Sequence, residues 1–438
     1  MIDFRVEPKF QEKLKWMDTF VREECELVDL LFPRAVDMYD VKNSKARDII
    51  RPLQEKVKAQ GLWACHLGPH LGGPGYGQVK LALMNEIIGR SNWAPTIFGT
   101  QAPDTGNAEI LALFGTEEQK RRYLDPLMAG EIVSCFSMTE PQAGADPKEF
   151  ECKAWAEGDE WVIEGEKWFS SNARFAEFLI VMAVTNPENK PHERMSMFLV
   201  PGDAPGIEII RNSKIMSDSP DPDDDSGAHA YIRYNKVRVP KDAMLGEPGQ
   251  AFKVAQARLG GGRIHHAMRT VGMCGRAIEM MLERAVSRQT QGKRFADHQF
   301  VQGMIGDSIC ELEQFRLLVL KTAWLIDESE AGREEHGAAR PWIGMCKVTL
   351  AKVFHDIVHR AVHLHGSLGA SLETPLYKMW AGIPSLSVAD GPTEVHKIQV
   401  AKHFLKKAIP GDRLFGTDHI PTRLEKAKRH FAAELVNA

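Results

Sequence analysis

Apolar side chains in the first third of the chain return every three or four positions. Leu14, Met17, Phe20–Val21 and Leu27–Val28 share one helical face, and Ile49–Ile50, Leu53 and Val57 share another that stops at Gly61. The spacing predicts helices with short loops over residues 8–130. From about 131 to 240 the period shortens to that of strands. Residues 131–139, 152–164, 178–185, 195–200 and 230–239 are short, rich in β-branched and aromatic side chains, and separated by Gly, Pro, Asn and Asp. Helical spacing returns after 241. The amphipathic runs Arg263–Arg288, Ser308–Ile326, Val348–His365 and Thr393–Leu405 predict an antiparallel bundle with short connections. The last segment is a Pro/Gly-rich link and a short helix opened by Thr422 and Glu425, with Leu424, Phe431 and Leu435 on one side. The expected organisation is an α+β chain: an N-terminal all-α domain at 1–130, a middle β-barrel or sandwich domain at 131–240, a four-helix bundle at 241–408 and an extension at 409–438.

Composition narrows the function classes. A chain of 438 residues can bury two or three substantial cores. Its net charge of −4 supplies no electrostatic footprint for nucleic acid or an anionic membrane, so neither is expected as a partner. No apolar run has the length of a membrane span, and MIDFRVEPKF has neither a signal peptide's apolar core nor a transit peptide's bias, which predicts a cytoplasmic protein. The seven cysteines are odd in number, scattered and without a CxxC pair, as in a reducing compartment. His265–His266 are adjacent and so point to different helix faces, His363 with His365 has the same difficulty, and no HExxH occurs; no metal is expected.

Several stretches carry candidate chemistry, each with a plainer alternative. The Gly-rich run 66–78 lacks a phosphate-loop spacing and reads as a flexible connector, while Thr116 and Gln119 form a capping box in a helix ended by Gly130. CFSMTEPQAGAD at 135–146 and EKWFSSNA at 166–173 are turns whose Thr139, Gly144, Trp168 and Phe169 could meet a planar polar ligand, or could be ordinary hairpin connections with core aromatics. RQTQGKRFADHQ at 288–299 reads as a pyrophosphate clamp or a solvated basic loop. The acidic run 217–225 reads as a solvated loop. In ADGPTEVH, Asp390 precedes a helix on a turn made by Gly391 and Pro392, and the residues alone fit either a helix N-cap or a carboxylate reaching outward to do chemistry.

Taken together, TEPQAGAD, GTEEQKRRYLDPLMAGE, the 288–299 loop, HLHGSLGAS and ADGPTEVH resemble the acyl-CoA dehydrogenase family, in its order and spacing over residues 10–405, and ADGPTEVH is similar to the subgroup of family members ten and eleven. The resemblance implies FAD between a β domain and a helical bundle. It implies flavin contacts from Phe136, Met138, Thr139, Gly144, Ala145, Phe169 and Ser171, and from Pro392 and Glu394 beside the base. It further implies Arg288, Gln299, His363, Gly366, Ser367 and Gly369 as FAD contacts, those of the bundle loops coming from a partner chain in a homodimer or homotetramer. Asp390 matches the base that removes the α-proton of an acyl-CoA, with Arg263 and Gly391 supporting substrate. Some members carry a Glu just before this Arg, where Gly260–Gly262 stand here, so no side chain at that place can act. Departures are Gln142, Ala145, Gln291, His363 and Ser367. The activity implied is α,β-dehydrogenation of an acyl-CoA with electrons passed to an electron-transfer flavoprotein. The alternatives are an oxidase of acyl-CoA or nitroalkane type on the same fold, and a non-catalytic flavoprotein, against which the acidic balance speaks.

Overall fold

A computed structural model describes residues 3–221, 223–411 and 414–436. Helices α1 (Pro8–Phe20), α2 (Glu26–Leu31), α3 (Ser44–Ala59), α4 (Gln78–Ile88), α5 (Ala94–Ile97), α6 (Asp104–Phe114), α7 (Glu117–Gln119) and α8 (Asp125–Ala129) make the N-terminal part. Strands β1 (Ser134–Ser137), β2 (Lys153–Glu157), β3 (Glu160–Ser171), β4 (Phe178–Val184), β5 (Met195–Pro201), β6 (Ile207–Ser213) and β7 (His229–Pro240) join in one sheet of order β1-β4-β2-β3-β7-β6, with β5 on β4. The bundle follows: α9 (Ala251–Ser287), α10 (Gln299–Glu330), α11 (Arg340–His365), α12 (Leu376–Val388) and α13 (Thr393–Lys407). The ribbon β8 (Gln289–Thr290) with β9 (Lys293–Arg294) joins α9 to α10, and α14 (Ile420–His430) and α15 (Ala432–Val436) close the described chain.

The two helical parts share one apolar core, in which Met17, Phe20 and Trp93 pack with Met268, Phe315 and Phe354. The sheet's core is separate. FLIVMAV of β4 is buried at every position because β1 and β5 flank it and both its faces are covered. The capping box forms, Gln119 N donating to Thr116 Oγ1 at 3.2 Å, and the same Gln119 amide reaches the carbonyls of Asp242 and Met244, tying the first helices to the sheet's exit.

Four local expectations need correction. Residues 152–164 are two strands, because Gly158 at φ +60° turns the chain between Glu157 and Glu160. Residues 207–213 add an unanticipated edge strand paired to β7; its outward residues are polar or half-buried, so the alternation is faint. The run 66–78 is pinned: Asp327 of α10 accepts from the backbone N–H groups of Gln78 and Val79 at 2.6 and 2.9 Å, capping α4. The final helix opens at Ile420, with Thr422 inside it. In the acidic run, Asp224 lies 3.8 Å from Arg34 and Asp225 accepts from Arg174 at 2.8 Å; Pro222 lies outside the described residues, as do 1–2, 412–413 and 437–438. No helix among the described residues is long and apolar enough to cross a membrane, and those residues hold no cluster of three metal-ligating side chains.

Candidate active site

The site is built on the break between α12 and α13. Lys347, buried on α11, donates to the carbonyls of Leu386 at 2.8 Å and Ala389 at 2.9 Å, and Arg263 of α9 donates to the Asp390 carbonyl at 2.9 Å. Two cations therefore take up the end of α12 that its own helix leaves unsatisfied. Burial lowers the Lys347 pKa to about 8, and the Asp390 charge opposes the fall. The turn itself is tight, with Asp390 at φ +56° and Gly391 at φ +107°, a region Asp tolerates and Gly favours.

Asp390 neither caps α13 nor reaches outward. Pro392 is the N-cap position and no side chain caps the helix. The Asp390 carboxylate turns inward onto α9 and is 18% exposed, its Oδ2 lying 3.4 Å from His266 Nε2. It occupies the space a side chain at 262 would fill, 2.7 Å from where a Cβ on Gly262 would stand. Burial alone would raise its pKa, but His266 against it, with Arg258 and Lys347 behind, holds it well below the usual carboxylate range.

A second carboxylate sits against the same glycines. Glu109 of α6 places Oε2 3.0 Å from where a Cβ on Gly261 would stand, and burial pushes its pKa up to about 7 against the pull of Arg258. Arg258 itself is half-buried where three parts meet: Nε donates to Asn107 Oδ1 at 2.9 Å, the guanidinium lies 4.0 Å from the Phe136 ring, and desolvation lowers its pKa. Glu109→Gln is expected to change how stability depends on pH. With the folded pKa above the unfolded value of ~4.3, the parent's stability is complete below that value and is lost as pH rises through about 7. The Gln variant has no such loss, so its melting temperature should gain on the parent's between pH 5 and pH 8. A gap constant across that range would show that Glu109 ionises in place without cost.

The sheet supplies a cross-braced edge. Ser137 Oγ is 2.8 Å from Ser170 Oγ, Trp168 N donates to the Thr139 carbonyl at 2.8 Å, and buried Lys167 donates to the Met138 carbonyl at 2.9 Å and to Glu140 at 2.7 Å. Phe169, at φ +52° and 41% exposed, stands on this edge beside Ser171, whose hydroxyl is 2.8 Å from His229 Nδ1. Phe136, Met138, Thr139, Phe169 and Ser171 are thus brought to one region, with Gly144 and Ala145 exposed on the loop that follows.

Profiles of the acyl-CoA dehydrogenase N-terminal, middle and C-terminal domains match residues 17–131, 135–219 and 249–405. The chain belongs to the acyl-CoA dehydrogenase family. FadE2 of Mycobacterium tuberculosis, named as an acyl-CoA dehydrogenase, is 40% identical over 83% of this chain and 87% of its own. Acyl-CoA dehydrogenase family member 11 of Rattus norvegicus is 40% identical over 90% of this chain and 51% of its own, so the chain spans about half the length of several curated relatives it matches. A solved structure titled as an acyl-CoA dehydrogenase of Mycobacterium abscessus superposes with a TM-score of 0.81 at 34% identity, covering 92% of this chain and 99% of that one.

Members of the family are FAD-dependent oxidoreductases, and the sheet edge fits a flavin ring. An aromatic ring is held exposed by left-handed backbone, where a side chain seeking only burial would not stay, and behind it both side-chain amide atoms of Asn172 are buried without a partner. Pro392 and Glu394 begin α13 next to Asp390, at the same end of the bundle. The other cofactor candidates lie elsewhere. Arg288 closes α9 and Gln299 opens α10, and α9 climbs about 40 Å from Gly262 to Arg288. His363, Gly366, Ser367 and Gly369 follow at the end of α11, past Arg360, which meets Glu311 of α10 at 2.8 Å. One chain does not bring these to the Asp390 end. Gly366, at φ +64°, has open space around it, but Gly369 is needed by its own helix: a Cβ there would stand 2.4 Å from the Val362 carbonyl.

The residues missed from sequence are Glu109, Arg258, His266 and Lys347. Lys347 had a signal, a lysine inside the apolar stripe of GMCKVTL, and His266 had one in being half of a His pair whose other member, His265, is half-buried.

Proposed function

We propose that the chain is an FAD-dependent acyl-CoA dehydrogenase in which Asp390 removes the α-proton of an acyl-CoA and the electrons pass on to an electron-transfer flavoprotein. The observation that carries this reading is the inward Asp390 carboxylate, on a turn whose main-chain carbonyls Arg263 and Lys347 hold beside a cationic cleft. That cleft, of about 410 Å³, is lined by Lys253, Gln256, Arg263, Arg340 and Gln399. Its cations suit the phosphates of a coenzyme A arm, and Arg263 belongs both to the cleft and to the turn that carries the base. Bound FAD supplies a hydride acceptor for the β-hydrogen.

The chain's own residues do the rest. Asp390 accepts the proton at a carboxylate oxygen, and since its pKa is low in the unliganded protein, the bound thioester has to raise its basicity by expelling water. Phe169 and the backbone of 138–139 orient the flavin ring against the acyl chain. The distant group of Arg288, Gln299, His363, Gly366 and Ser367 reaches FAD from a second copy, as a homodimer or homotetramer provides. Exposed Val286, Phe300 and Leu372 at that end, 60%, 89% and 77% accessible, favour such packing.

The test is anaerobic titration of the purified yellow protein with acyl-CoAs of graded length, followed by admission of air, with light scattering on the same sample. Bleaching of the flavin with slow reoxidation in a dimer or tetramer is the expected result. Fast reoxidation would make it an oxidase, and no bleaching with any acyl-CoA would leave the non-catalytic reading.

A further inference from the structure

We propose that His266 is the proton relay partner of Asp390, taking at Nε2 the proton that Asp390 has removed from the substrate. The proposal rests on Asp390 being the base of the reading above. His266 stands one helical turn after Gly262, on the α9 face that Gly262 leaves open, with Nε2 3.4 Å from Asp390 Oδ2. This is the outer limit of hydrogen-bond reach, and such contacts commonly shorten when a substrate closes the site. Its side chain is 28% exposed, more than the carboxylate it faces, so it connects an enclosed base to water.

The other charged groups around the carboxylate cannot serve. Arg258 is a cation committed to Asn107 and the Phe136 ring, Arg263 is bonded to the Asp390 carbonyl, and Lys347, fully buried, donates to two further carbonyls. His396 of α13 lies on the Gly391 side and is only 1% exposed, closed off from water. Glu109 lies across Gly261, and His265 points to the other face of α9, where burial keeps its pKa well below normal.

The step balances without an oxidant. The Cα–H bond breaks, its electron pair remains on the thioester enolate, and an O–H bond forms on Asp390. That O–H bond then breaks as an N–H bond forms on neutral His266, giving an aspartate–imidazolium pair, and the imidazolium releases the proton to water. The base is thereby restored while the acyl group is still bound, and solvent hydrogen can return to the α-carbon.

The experiment is exchange of α-protons in D2O on the FAD-loaded protein, followed by mass spectrometry, with 3-thiabutyryl-CoA and 3-thiaoctanoyl-CoA, in which sulfur replaces the β-carbon and blocks oxidation. The parent should exchange both probes. His266→Gln, which keeps a hydrogen-bond donor but no basicity, should slow exchange by ~10²-fold, while thioester binding, seen in the flavin spectrum, is unchanged. Added imidazole should restore exchange in His266→Ala. A Gln variant that exchanges at the parent rate overturns the relay, as does full rescue by Gln of a loss seen in Ala, which would make His266 a positioning contact only. A parent that exchanges neither probe removes Asp390 as an acyl-CoA base and takes the relay with it.

Discussion

Asp390→Asn is expected to bind FAD and an acyl-CoA while reducing its flavin at least ~10²-fold more slowly than the parent. The substitution nearly preserves shape, and the turn that carries the side chain is held through main-chain carbonyls by Arg263 and Lys347, so the geometry of the site should survive. What is lost is basicity and charge. The loss of charge has its own signature in stability. The Asp390 pKa is depressed on folding, so its contribution is present above the unfolded value of ~3.9 and disappears only as pH falls below it. Asn should therefore melt below the parent at neutral pH, because Arg258 and Lys347 lose their anion, and the difference should shrink in strong acid. Stopped-flow flavin reduction and thermal melts at pH 7 and pH 3 measure the two effects separately. An Asn variant that reduces its flavin at the parent rate would sink Asp390 as the base. Asp390→Glu should keep part of the activity, since its extra methylene carries the carboxylate past Gly262.

The family and its layered architecture were legible because their signals are local. The all-buried run FLIVMAV, the box from Thr116 to Gln119 and the turn residues after Ala389 each declare themselves within a few positions. The site was harder, because its geometry is set across long sequence separations. Three consecutive glycines at 260–262 lower helix propensity and look like a break, yet α9 runs through them, since Glu109 from 152 residues upstream and Asp390 from 128 downstream claim the space that side chains would fill. The inward turn of Asp390 depends likewise on Arg263 and Lys347, neither of which is near it in sequence. Helical spacing shows where α9 runs, but not that Arg288 closes it about 40 Å beyond Gly262, the glycine that Asp390 faces.

Gly262→Ala is the sharper test of that geometry, because it should favour the helix locally and yet leave the protein much less active. Replacing glycine by alanine inside a helix stabilises by about 0.5–1 kcal/mol through backbone entropy. The new Cβ, however, would stand 2.7 Å from Asp390 Oδ2, closer than carbon and oxygen pack, and no backbone shift can relieve it cheaply while Arg263 and Lys347 hold the carbonyls of Asp390, Ala389 and Leu386. The carboxylate has to swing away, and a displacement near 1 Å costs on the order of 10²-fold in rate. Gly275→Ala, in the same helix but with open space around its Cβ, supplies the comparison: the full helix-propensity gain in melting temperature with no loss of flavin reduction. If Gly262→Ala reduced its flavin as fast as Gly275→Ala, the carboxylate would not need the place it occupies. The converse change follows from the same contact. In Gly262→Glu/Asp390→Gly the emptied turn leaves room for a carboxylate delivered from α9, and activity should recover part of the way from that of Asp390→Gly alone, because either side of this one contact can present a base to the same α-carbon.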